Sequence, residues 1–101
     1  MDYFENLPDL LPNQVYISHV GDGEYTYNVF GSVWNDKNKL INSICNSKEF
    51  KHYNLTPSKL VFFGNIECKN PFIWVCVKDG IHEVDLVYLT IENINEAILF
   101  H

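Results

Sequence analysis

Few residues of this chain have the types and spacing that chemistry needs. His19 stands shortly before Asp22 and Glu24, and His82 directly precedes Glu83; these are its nearest approaches to an imidazole–carboxylate pair for acid–base work. On a strand His82 and Glu83 would point to opposite sides, and no Ser or Cys sits in a turn that would make it a nucleophile. His82 is expected on the apolar side near a turn, as a hydrogen-bonded structural histidine. Three cysteines (Cys45, Cys68, Cys76) and four scattered histidines lack the close ligand pairs of a zinc site. The stretch "HVGDGEYTYNVFGSVWND", residues 19–36, could pass for a phosphate cradle. Such a loop must open a helix, whereas this one leads into aromatic and β-branched residues. The reading is no catalytic residue, no metal, no cofactor, and therefore no enzyme.

The elements that position these residues follow from turn signals and periodicity. Asp-Gly between alternating apolar runs marks a tight hairpin, and it occurs at Asp22-Gly23 and Asp79-Gly80. "NQVYISHV" and "EYTYNVFGSVW" read as strands whose two-residue loop pairs Val20 with Tyr25 and Ser18 with Tyr27. Tyr16, Tyr25, Tyr27 and Val29 then share one face, and Val15, Ile17 and Phe30 the other. In "NDKNKLINSICNSKEFKHY" the period becomes helical through Leu40, Ile41, Ile44 and Cys45, with Asn35 or Asp36 as N-cap, predicting a helix of about three turns. "LTPS" breaks the chain. "KLVFFGNIEC", "FIWVCV" and "IHEVDLVYLTI" form a three-stranded meander, and "NINEAILFH" closes in a short helix with Asn93 and Glu96 at capping-box spacing. The prediction is a single α+β domain over residues 1–101: an antiparallel or mixed sheet of about five strands in the order ββ-α-βββ-α, with helices packed on a face. The "KLVFFG" run is aggregation-prone and should lie inside the sheet, not at its edge.

A chain of 101 residues is one domain, long enough to bury about 65% of its unfolded surface without staples. The net charge is −6, and all seven cationic side chains are Lys, which removes the bidentate phosphate and guanine reader and argues against nucleic acid. A basic protein partner suits this charge, although the charge also serves solubility. Odd, unpaired cysteines fit a reducing compartment. The acidic, proline-interrupted start "MDYFENLPDLLP" does not read as a signal peptide, and no window is apolar enough to span a membrane, so the expected location is the cytoplasm.

Centring the last hairpin on Asp79-Gly80 pairs Val77 with His82, Val75 with Val84 and Ile73 with Leu86 on an apolar face. The opposite face then carries Phe72, Trp74 and Cys76 against Val87, Asp85 and Glu83. A preceding turn at Lys69-Asn70 adds Glu67 beside Phe72 and Asn65 beside Trp74. The resulting patch has Trp74 at its middle and Asn65, Glu67, Glu83 and Asp85 around it, the make-up of a hot spot for a basic partner. The competing reading is that the terminal helix or the N-terminal segment covers Phe63, Phe72, Trp74 and Leu89. Asp22, Glu24 and Asp36 form a second acidic locus, and Tyr25 and Tyr27 complete the candidate contacts.

With its stretches "EYTYNVFGSVWND" and "IHEVDLVY", this acidic α+β chain resembles in general character the bacterial immunity proteins of contact-dependent growth inhibition systems. The likeness implies one-to-one binding to a toxin domain, often a basic nuclease, and carries no functional residue with it. Three alternatives stay open: a phage-encoded inhibitor of host defence, a small ligand-binding or enzymatic domain lined by the tyrosine face, and a self-associating structural subunit.

Overall fold

The computed structural model describes residues 2–4, 6–20, 27–65 and 72–100, with side chains for all of these except 2–4, 20, 27–32 and 98–100. Six strands are described: β1 (Asp2–Phe4), β2 (Gln14–Val20), β3 (Tyr27–Trp34), β4 (Leu60–Asn65), β5 (Phe72–Asp79) and β6 (His82–Asn93). They form one sheet in the order β1-β4-β5-β6-β2-β3, and every neighbouring pair is antiparallel. The fold is α+β, as the sequence predicts. The three-residue β1 is an addition to the expected order, too short to carry a period.

Helix α1 (Lys37–Cys45) starts where Asp36 accepts hydrogen bonds from the backbone N–H of Asn38 (2.8 Å) and Lys39 (3.2 Å). Its Leu40 and Ile44 are fully buried on one face of the sheet. Two short 3-10 segments follow, Lys48–Tyr53 and Pro57–Lys59. Between them Asn54 takes a left-handed conformation (φ 50°), which Asn tolerates better than most residues. Helix α2 (Ile94–Phe100) opens with Asn93 accepting from the Asn95 N–H, at 2.9 Å.

The two helices take opposite faces, because adjacent residues of β2 point opposite ways. Tyr16 packs with Leu40, Ile44, Phe62, Val75, Val87 and Leu89 in the core under α1. Val15 and Ile17 pack with Ala97 and Ile94 of α2. The segment before β2 lies over the α1 face. Leu7 is buried there, the Tyr16 hydroxyl donates to the Pro8 carbonyl, and Lys37 Nζ meets Asp9 Oδ1 at 2.7 Å. That ion pair is exposed and contributes little to stability; its role is to orient the segment.

Four registers differ from expectation, one of them between β4 and β5, where Asn65 faces Phe72 in place of Trp74. Val20 pairs with Tyr27 and His19 with Asn28, a register that is not centred on Asp22-Gly23; the turn itself, within residues 21–26, lies outside the described residues. The expected pairs Val20–Tyr25 and Ser18–Tyr27 do not form. The last hairpin turns at Gly80-Ile81 with Asp79 opposite His82, not at Asp79-Gly80. Only the first of its two central residues has positive φ (Gly80, 72°), the pattern of a type II′ turn. Finally, β6 carries a bulge: Cys76 faces Asp85 but Val75 faces Val87, leaving Leu86 unopposed. The first slip in this hairpin is even and preserves the faces, whereas the bulge reverses them. Val87 and Leu89, expected beside Trp74, are in the core, and Ile73 pairs with Leu89 in place of Leu86.

The "LVFFGN" strand β4 is held off the edge by β1, through Asp2–Gly64, Tyr3–Phe63 and Phe4–Phe62. At Gly64 a Cβ would stand 2.3 Å from the Phe72 carbonyl oxygen and 2.9 Å from Ile73 Cα. Both are backbone atoms and cannot swing away. Gly64→Ala is therefore expected to destabilise the fold by about 2 kcal/mol or more, read as a lower urea midpoint at unchanged m-value.

Candidate protein-binding face

On the sheet face that α2 only partly covers, one row of side chains is aligned across four strands. Phe63 of β4 lies opposite Trp74 of β5, Trp74 opposite Tyr88 of β6, and Tyr88 opposite His19 of β2. Neighbouring strands are about 4.8 Å apart, so rings in register must touch. His19 and Tyr88 stack with centroids 4.6 Å apart and planes 17° apart, and Trp74 meets Tyr88 at 5.2 Å and 53°. All four are half-buried.

The rows on either side set the polarity. Toward the hairpin tip come Cys76 with Asp85, then Lys78 with Glu83. Asp85 and Glu83 are exposed. In the other direction Asn65 faces Phe72, and Phe72 faces Thr90. Asn65 thus shares the face with Trp74 but is one pair removed; Phe63 takes the place opposite Trp74. The covering helix lies over the β2 side, on Val15 and Ile17, and Trp74 keeps partial exposure.

The remaining candidates are placed elsewhere. Glu67, Asp22, Glu24 and Tyr25 lie outside the described residues, as does Cys68. Tyr27 is fixed only by its register opposite Val20. Tyr16, expected on the tyrosine face, is 1% exposed and belongs to the core. Asp36 caps α1, its carboxylate engaged by two backbone N–H groups. His82, expected as a buried structural histidine, stands exposed beside the turn because the turn moved by one residue. Sequence reasoning missed Phe63, Tyr88 and His19 as row members. Cross-strand register was the signal for them; the bulge in β6 hid Tyr88 and with it His19, and a two-residue slip between β4 and β5 hid Phe63.

The thiol of this face is not activated. Cys76 is buried and its Sγ donates to Asp85 Oδ1 at 3.2 Å; burial first, then Asp85, pushes its pKa from 9.0 to about 12. A nucleophilic thiol needs the opposite shift. Burial likewise raises the half-buried Cys45 thiol. Among the described residues no three His, Cys, Asp or Glu come together to hold a metal, and no helix is long and apolar enough to cross a membrane. An open groove of about 520 Å³ between the 3-10 segments and the end of β5 is rimmed by Lys59, Lys78 and His52.

In comparisons with known proteins, no family model, no curated protein and no solved structure matches the chain.

Tyr16 and Cys76 together fix an alkaline limb of stability. Burial, with Asp9 nearby, raises Tyr16 from 10.0 to about 12, as Cys76 is raised from 9.0. Both folded values exceed the unfolded ones, so their contribution is complete below pH 9 and is lost as pH climbs toward 12. Urea unfolding should give the same stability at about pH 7 and 8 and a lower one at about pH 10.5, with a shallower fall in Cys76→Ala. A flat or rising profile over that interval would contradict the assignment.

Proposed function

We propose that this protein is a stoichiometric, non-enzymatic inhibitor that binds another protein, and that it is an immunity protein neutralising a cognate basic toxin domain in the cytoplasm. The observation that carries the reading is the half-buried row Phe63–Trp74–Tyr88–His19 with the exposed Asp85 and Glu83 in the next rows along the same strands. Large rings held in fixed register supply contact area at low entropic cost, and the carboxylates steer and orient a cationic partner. The chain's net charge of −6 extends the same field over longer range. Unpaired thiols at Cys45 and Cys76 fit a reducing compartment.

The test is capture of partners from the native host by tagged protein at about 150 mM salt, with native mass giving stoichiometry. One basic, one-to-one partner with a toxic domain is the expected result. A host-defence component in its place would reassign the protein to a phage inhibitor, and no partner at all would remove the reading. With the partner in hand, Glu83→Lys combined with Asp85→Lys should slow association by about tenfold and flatten its salt dependence, leaving the melting temperature within a few degrees. Unchanged association kinetics would exclude this face.

A further inference from the structure

The β5–β6 hairpin outruns the sheet around it. The β4 ladder ends where Leu60 meets Val77, and the β2 ladder where His19 meets Tyr88. From Lys78 to Glu83 the two strands have no ladder partner but each other among the described residues, through Lys78–Glu83 and Asp79–His82, and Lys78 and Asp79 flank the groove beside the 3-10 segments. At the tip Ile81 is 93% exposed, more than any other described large apolar side chain.

A single exposed aliphatic residue is ordinary on a surface. This one also breaks the chemistry of its turn. Gly80 supplies the positive φ at the first corner, which leaves the β-branched Ile81 at the second, where turns normally use Asn, Asp, Ser or Gly. Local rules broken without local gain mark functional positions.

We infer that the hairpin is an insertion finger whose Ile81 enters an apolar pocket of the partner protein, with Asp79, Glu83 and Asp85 meeting a basic rim around it. This rests on the protein-binding reading above and adds which part enters the partner and what chemistry receives it. Charge complementarity selects a foreign protein over a second copy. The finger carries Asp79 and Glu83 against Lys78, with Asp85 just behind them, on a chain of net charge −6, so two copies meeting tip to tip would bring like charges together. Continuity supports it as well, since Asp85 lies one row from the Trp74–Tyr88 pair and finger and row form one strip. The tight turn and the stiff χ1 of Ile keep the ordering cost of insertion low.

The experiment compares wild type with Ile81→Ser, Ile81→Val and Trp74→Ala in the same capture, followed by calorimetric Kd measurement on the purified partner. Ile81→Ser should weaken Kd by about tenfold or more, and Ile81→Val should stay within about fivefold of wild type. The melting temperature of Ile81→Ser should equal or exceed that of wild type, because Ser suits the turn. Wild-type affinity in Ile81→Ser alongside weakened binding in Trp74→Ala would overturn the finger and leave the face-binding reading in place. Failure of wild type to retain any one-to-one partner would overturn both. A concentration-dependent dimer that is lost in Ile81→Ser would assign the tip to self-association and overturn the partner pocket.

Discussion

The one extra residue in β6 decides what each face of the sheet is made of. Val84 faces the α1 core; beyond Leu86, which has no partner, Val87, Leu89 and Ile91 do so. Strict alternation would instead send Leu86, Tyr88 and Thr90 inward with Val84, and Val87, Leu89 and Ile91 outward. The bulge lets one strand give aliphatic side chains to the core along nearly its whole length. It also lets that strand present Asp85 and Tyr88 on the opposite face. Without it the aromatic row would lose its central ring, and Trp74 would face an aliphatic residue.

The α1 core accommodates polar tips because each one is met. Tyr16 donates to the Pro8 carbonyl, and Trp34 Nε1 donates to Ser18 Oγ at 2.8 Å, satisfying a serine with no exposure. No buried side-chain nitrogen or oxygen among the described residues lacks a partner. The Tyr16 bond also ties the segment before β2 across the core, and the same segment supplies the Asn13 carbonyl that accepts from the Ile94 N–H at 2.7 Å. One stretch of chain therefore closes the α1 face and starts the helix on the other. Through Ile94 and Ala97, α2 then lies on Val15 and Ile17 of β2.

Much of this was legible locally. The period change at Leu40, Ile41, Ile44 and Cys45 marked α1, Asp36 marked its start, and Asn93 marked the start of α2. The meander of β4, β5 and β6 followed from their apolar runs and the turn between the last two. Register was not legible, because an Asp-Gly pair fits two turns: Gly second for type I′, or Gly first with the following residue for type II′. Choosing the first put Ile81 in a strand and His82 over the core. The bulge at Leu86 carries no glycine or proline to announce it; it is imposed by the need to bury Val87 and Leu89 once Val84 is committed inward. β1 gains meaning only from the partner it covers, since three residues show no period while β4 needs a neighbour.

The contact between Cys76 and Asp85 bears on whether this face reacts or recognises. A thiol beside a carboxylate has the parts of a nucleophile–base pair, but activation requires a thiolate stabilised by a cation, a helix N-terminus or a base that accepts its proton in a polar cleft. Here the thiol is buried and the adjacent carboxylate is anionic, so every neighbouring influence favours the protonated sulfur. The hydrogen bond instead fixes the Asp85 carboxylate at a set height above the sheet, one row from the indole. Fixed rings, a fixed carboxylate and exposed acids on a stiff hairpin are costly to maintain for solubility alone, which any flexible surface charge provides. On the proposed reading their value is geometric: they hold a pattern of apolar area and negative charge that a complementary surface can meet without reordering it.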